Sequence, residues 1–202
     1  MMTETTERSA PRPPGRPRSE RAEKAIIEAT LDLLVEEAGV AGVTIEAVAA
    51  RAGVGKTTIY RRWANKESLI IDALATLKAP IPELTGRSAR DDLIALTEAV
   101  RPAGDRRFDC VWNVVGGAAK HPELASRFRQ DVVEPRREVF RSVLRRGIAT
   151  GEFRSDLDVE VAMSMLVGAV TLQTRGLARD ETLPEDFAGR VVDTALRGFS
   201  VR

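Results

Sequence analysis

The sequence predicts an all-α protein: a small globule of three helices near the N-terminus, a connecting helix, and a larger helical domain after it. Three observations carry that prediction. From Ser19 onward apolar residues recur three and four positions apart, and glycines and prolines punctuate the runs at helical lengths. Ala49, Gly53 and Ile59 stand at offsets 0, +4 and +10, the pattern of a helix-turn-helix: a small residue where the helices cross, a glycine in the turn, a branched anchor on the second helix. From Val161 to Leu172 almost every position is apolar, so that helix has hardly any polar side and needs cover all round.

Residues 1–18 are polar and proline-rich and bury too little apolar surface to fold. Arg8, Arg12, Arg16 and Arg18 lie in this disordered basic arm, and Gly15, Arg16 and Pro17 form a core suited to a narrow minor groove, whose negative potential attracts guanidinium groups. The arm is either a groove binder of that kind or a leader without a fixed contact. Ser19 to Ala38 reads as the first helix, with Ala22, Ile26, Ala29 and Leu33 inward, Glu20 and Glu23 in its first turn, and Gly39 as its stop. Thr44 is a cap residue for a second helix from about Ile45 to Ala52, and Gly53 ends it because glycine takes the left-handed conformation without steric cost. Val54 plugs the corner, and a third helix runs from Lys56 to Trp63 with Ile59 and Trp63 on one side. Lys66 to Lys78 forms the connector, its Leu69, Ile70, Ala73, Leu74 and Leu77 at helical spacing, ended by Pro80 and Pro82. Globule and connector together occupy residues 19–79, and residues 80–202 form the second domain.

In that second domain the segments Asp91 to Arg101 and Arg106 to Lys120 read as helices. A long helix follows to about Thr150, opened by His121 and Pro122 and kinked at Pro135. Arg136, Arg137, Arg141, Arg145 and Arg146 spread along it as a solvated face. Asp158 caps Val159 to Arg175, and Leu183 and Pro184 open a last helix with Phe187, Val191, Val192, Ala195, Leu196 and Phe199 inward. A second subunit is the natural cover for a helix as apolar as Val159 to Arg175. The last two helices are therefore expected to pair with their symmetry mates in a four-helix bundle, the competing arrangement being a monomer with that helix at its centre.

From Arg51 to Lys66 the chain carries Arg51, Lys56, Arg61, Arg62 and Lys66 and no acid, with Thr57, Thr58 and Tyr60 among them. Such a surface suits phosphates and base edges. Net charge is only +1, so the basic character is local and duplex DNA would meet one face. Ala50 to Thr57, ARAGVGKT, echoes a phosphate-binding loop, but Ala50 replaces the first glycine and the preceding run has helical rather than strand periodicity. A single cysteine, Cys110, and a single histidine, His121, exclude a disulfide framework and argue against a zinc site. No paired carboxylates or nucleophile–base grouping is recognisable, so no catalytic residue, metal or cofactor is expected. The N-terminus lacks an apolar signal core, and the longest uncharged apolar stretch, Val161 to Thr174, is shorter than the roughly 20 residues a bilayer requires. A cytoplasmic protein without a membrane partner is the expectation.

The run AEKAIIEATLDLLVEEAGVAGVTIEAVAARAGVGKTTIYRRWANKESLIIDAL resembles the DNA-binding domain of the TetR/AcrR family of ligand-responsive transcriptional regulators, including its Tyr60 to Trp63 segment and the Lys66, Glu67, Leu69 opening of the next helix. The remainder is similar to the family in length, helical pattern and order of elements. The resemblance implies a homodimer that binds a near-palindromic double-stranded DNA operator, acts as a repressor, and is released by a small-molecule effector held in a helical ligand-binding and dimerisation domain. It also places Lys56, Thr57, Tyr60 and Arg61 at positions that touch bases or phosphates, and Thr44 and Lys66 at backbone contacts. On chemical grounds Lys56 and Arg61 can donate to guanine edges, Thr57 can meet a thymine methyl, and the Tyr60 hydroxyl can bond a phosphate. Thr58, and Arg16 and Arg18 of the arm, complete the expected DNA-binding set. Phe108, Trp112, Phe128, Phe140, Met163 and Leu166 are the expected walls of a mainly apolar effector pocket, which favours a lipophilic effector.

Overall fold

The computed structural model describes residues 16–101, 107, 120–175 and 182–199, and every regular element among them is helical. In chain order these are α1 (Arg16–Glu36), α2 (Ile45–Ala52), α3 (Lys56–Tyr60), α4 (Lys66–Thr76), α5 (Ala89–Glu98), α6 (Pro122–Phe128), a π-helical turn (Arg129–Val133), α7 (Glu134–Ala149), α8 (Val159–Arg175) and α9 (Phe187–Phe199). Local chemistry sets several of these ends as expected. Thr44 Oγ1 accepts the Ala47 N–H at 3.1 Å, and Gly53 closes α2 at φ +65°. Asp158 Oδ1 accepts the N–H groups of Glu160 and Val161, each at 3.0 Å, to start α8.

Two hydrophobic cores result. The first joins α1 to α4 around Ile26, Leu34, Val48, Ile59 and Leu74, and it takes in Leu124 and Phe128 of α6 and Val132 of the π turn. The second joins α5, α7, α8 and α9 around Leu93, Leu144, Met163, Leu166 and Val192. A five-residue helix has no stability of its own, so α3 is held from outside itself. Ile59 is fully buried, worth about 1.5–3 kcal/mol. Trp63 is buried too, and its Nε1–H donates to Asp72 Oδ2 of α4 at 2.8 Å. The connector thus grips the far end of the helix-turn-helix, while α4 also packs on α6.

Several elements depart from expectation for identifiable reasons. α1 begins at Arg16, so Arg16 and Arg18 lie in its first turn instead of in an extended arm, and Glu20 and Glu23 fall beyond that turn. Pro17 favours this start, because a first-turn proline gives up only an N–H that has no helical partner. α1 ends at Glu36, and Ala38, at φ +51°, is the left-handed residue ahead of Gly39, whose N–H returns to the Leu34 carbonyl at 3.0 Å. α3 is shorter than Lys56 to Trp63, since the Arg62 and Trp63 N–H groups both converge on the Ile59 carbonyl. The long helix is not simply kinked at Pro135. Pro135 lacks the N–H that would bond Asp131, and the π turn before it, with Glu134 N–H bonded to the Arg129 carbonyl, accommodates the ring. α9 opens at Phe187 rather than at Leu183 and Pro184. The expected helix from Arg106 to Lys120 lies almost wholly outside the described residues.

Of the arginines of α7, Arg145 is solvated as expected, whereas Arg136, Arg137, Arg141 and Arg146 are half-buried and engaged with other groups. Arg141 bonds Glu134, Glu138 and Glu160, which raises its pKa above the ordinary arginine value. Arg146 reaches back to Asp92 of α5 at 2.6 Å. Asp92 is 2% exposed, and its two oxygens also accept from the Thr85 N–H at 2.9 Å and the Gly86 N–H at 3.0 Å. Burial pushes its pKa up, but the Arg146 hydrogen bond and the two backbone donors outweigh that and leave it lowered. A depressed carboxylate stabilises the fold above its unfolded pKa of about 4, and the contribution fades as pH falls through the folded value. Asp92→Asn should therefore cost about 2–4 kcal/mol in urea unfolding at pH 7. It should also flatten the loss of stability below about pH 4; an unaltered acid limb would show that Asp92 does not govern it.

Candidate nucleic-acid interface and ligand cavity

On α3 the buried Ile59 fixes which residues face out. Lys56, Thr57 and Tyr60 are exposed, and Arg61 follows them directly at the C-terminal end; Tyr60 keeps 53% of its surface in solvent. These four share one side because residues at i, i+1, i+4 and i+5 fall within about 140° of a helix's circumference, opposite the buried residue at i+3. Thr58 is half-buried beside them. Thr44 is exposed, with its hydroxyl oxygen engaged in the α2 cap. Lys66 is half-buried at the start of α4, with Nζ 3.4 Å from the Val40 carbonyl, and Asn65 Oδ1 accepts the Ser68 N–H at 2.8 Å to cap that helix. Of Arg16 and Arg18 only the helical backbone is described.

An acid-free window in sequence is not acid-free in space. Lys56 Nζ lies 3.0 Å from Glu46 of α2, Arg51 lies 2.7 Å from Glu36 of α1, and Arg62 lies 3.5 Å from Glu23 of α1. The Lys56 hydrogen bond lowers the Glu46 pKa and that of Arg51 lowers the Glu36 pKa, so both carboxylates are ionised at neutral pH. Glu46 was invisible as a partner because it sits ten residues upstream on another helix. Arg61 has no ion-pair partner among the described residues. It is the cation most freely presented beside Tyr60.

A cavity of about 200 Å³ lies where the two cores meet. Its apolar wall includes Phe128 of α6 and Phe140 of α7, both expected, together with Ile81, Leu96, Val100 and Val167. Met163 and Leu166 are absent from that wall: at 1% and 0% exposure they point into the second core, and Val167 and Thr171 carry α8 to the cavity instead. Phe108 and Trp112 lie outside the described residues. Lys78, Arg136 and Arg137 line the cavity as well, and among the described residues no acid does. Sequence reading missed the first because it closes an amphipathic connector, and the others because they looked like a solvated stripe.

Among the described residues no three histidine, cysteine or carboxylate side chains converge as a metal site, and no helix is long and apolar enough to cross a membrane.

Comparison with known proteins finds matches to both parts of the chain. Residues 26–73 match the model of bacterial regulatory proteins of the tetR family, and residues 82–195 match a tetracyclin repressor-like C-terminal domain. The HTH-type transcriptional regulator YdeS of Bacillus subtilis strain 168 is 34% identical, over 91% of this chain and 92% of its own. The DNA-binding transcriptional repressor TetR of Mycobacteroides abscessus is 31% identical, over 89% of this chain and 94% of its own. Among solved structures, the TetR family transcription regulator SCO0332 superposes with a TM-score of 0.56 at 29% identity, covering 90% of this chain and all of that one. The regulator FadR of Bacillus subtilis, solved in complex with stearoyl-CoA, shares the fold at a TM-score of 0.61 and 17% identity, over 87% of this chain and 98% of that one.

Proposed function

The chain belongs to the TetR family of transcriptional regulators, and from that premise we propose that it works as a homodimeric repressor, released from a near-palindromic operator by a small lipophilic effector. It is a DNA-binding regulator rather than an enzyme, as its families and relatives are. The observation that carries the finer reading is the placement of the cavity. It touches Lys78, Ile81 and Pro82, just past the end of α4, and Phe128, which belongs to the core that holds α3. A ligand seated there presses on the connector that grips Trp63 through Asp72. Release then requires a ligand that prefers the arrangement in which the two α3 helices are wrongly spaced for DNA, since equal affinity for both arrangements shifts nothing.

Lys56, Thr57, Tyr60 and Arg61 are the proposed groove-facing residues, with Thr44, Thr58 and Lys66 on the flanking backbone. Residues 1–15, which carry Arg8 and Arg12, supply a proposed accessory contact in the minor groove. The second subunit covers α8, and repression takes place in the cytoplasm.

The test is competitive binding to the duplex beside the protein's own gene. Affinity should exceed that for a scrambled duplex by about 10³-fold or more and fall steeply with salt. Equal affinity for both duplexes would replace an operator-specific repressor with an architectural DNA binder.

A further inference from the structure

Lys56 opens α3 on its exposed side, yet it is not a free cation. Its Nζ donates to Glu46 Oε1 of α2 at 3.0 Å. Glu46 stands in the first turn of α2, two residues past Thr44, and brings a negative charge to the edge of the groove-facing row. Both side chains are open to a partner, Lys56 at 55% exposure and Glu46 at 65%. The Lys56 hydrogen bond holds the Glu46 carboxyl below its ordinary pKa, so the acid is charged at neutral pH. An ammonium has three donors, and one is committed to Glu46. The two that remain match the O6 and N7 acceptors of a guanine, which are neutral and lie side by side in the major groove. A phosphate also attracts Lys56, but Glu46 repels it at the same spot. The neutral base edge is therefore the contact that keeps the ion pair whole.

We propose that Glu46 is a specificity residue: by holding Lys56 it directs that ammonium to a guanine edge in each half-site and withholds it from the phosphates of unrelated sequence. This rests on the reading of α3 as the groove-facing helix above and deepens it. An acid on a face that meets phosphates weakens binding to every duplex. It weakens binding most where Lys56 finds no guanine, so discrimination rises as affinity falls. Arg51 and Glu36 form the same kind of pair at 2.7 Å, but that cation is not one of the groove-facing residues.

The test uses the full chain, the duplex beside its own gene and a scrambled duplex of the same composition, in competitive binding. Glu46→Gln keeps the shape of the side chain and removes its charge. Affinity should rise a fewfold for the operator but about tenfold or more for the scrambled duplex, so that their ratio falls at least about threefold. The salt slope on the scrambled duplex should steepen by about 0.9 for each lysine released, close to two for a dimer. Guanines of the operator are then replaced one at a time, symmetrically in both half-sites. At one position the parent should lose about fivefold or more and Glu46→Gln less than about twofold. In a Lys56→Gln background, Glu46→Gln should change the ratio by less than about twofold, because the acid acts through that lysine. Glu36→Gln, the same change of charge beside Arg51, should leave the ratio as it is. Melting curves of Glu46→Gln should stay close to the parent, since the pair is exposed. A ratio kept or raised in Glu46→Gln, an equal fall in Glu36→Gln or without Lys56, or no guanine that separates parent from variant would overturn the assignment and leave the operator reading standing. A parent that binds both duplexes alike overturns both.

Discussion

Met165→Glu together with Leu172→Glu should convert the protein to a monomer and lower operator affinity by at least about 100-fold. Along α8 the residues Ala162, Met163 and Leu166 are buried in the core shared with the chain's own α5, α7 and α9, and Val170 is buried too, while other positions of the helix stay open. Val161, Met165 and Leu172 remain 54%, 51% and 74% exposed and lie on one side, four and seven residues apart. Beside them runs a groove between α8 and α9, lined by Met165, Ala169, Phe187, Val191 and Ala195. An apolar stripe flanking a groove is what a second copy of the same two helices fills in a four-helix bundle. In a free subunit the two glutamates would sit in water at a cost within about 0.5 kcal/mol. In a dimer they would place four unpaired carboxylates in the seam, each costing several kcal/mol. Sedimentation should move from twice the 22.1 kDa chain mass to that mass itself, with helical circular dichroism unchanged. The loss of DNA affinity follows because a single subunit holds only half an operator and forfeits the gain of linked binding, about 10²–10⁴. A variant that stays dimeric would remove α8 from the interface.

The second large effect is expected at the end of α3. Tyr60→Ala with Arg61→Ala should weaken operator binding by about 10³-fold, since each dimer loses two phosphate bonds and two base or phosphate contacts, the base contacts worth about 1–3 kcal/mol apiece. Stability should hardly move: Tyr60 is half in solvent and Arg61 has no ion-pair partner among the described residues. Arg51→Ala is the matched control, because that guanidinium already serves Glu36. Glu46→Gln should act in the opposite sense, tightening binding a fewfold by releasing Lys56 and removing an acid from a face that meets phosphates. A double variant that binds as the parent does would mean that α3 is not the reading element.

The helix-turn-helix was legible in sequence because its determinants are local. A cap at Thr44, a left-handed glycine at 53 and an inward Ile59 each act within a few residues, and they leave Tyr60 and Arg61 no direction but outward. What escaped is long-range pairing. Asp92 and Arg146 are 54 residues apart, and Lys56 meets Glu46 across a turn, so composition within a window misjudged both. A carboxylate among the apolar positions of α5, four residues before Leu96, was the available signal for a buried ion pair. The cavity was half legible: Phe128 and Phe140 stand out as aromatics, whereas which side of α8 carries Met163 and Leu166 depends on the rotation of that helix. Lys78 and Arg136 acquire their meaning only where the connector and α7 meet.

Hydroxyl-radical footprinting on the DNA beside the protein's own gene tests most directly whether twin α3 helices read successive major grooves. The expected pattern is two protected patches about 10 base pairs apart centre to centre, or a multiple of that, related by a near-palindrome and both lost with the Tyr60 and Arg61 substitutions. One continuous patch, or paired patches that persist in that variant, would contradict it.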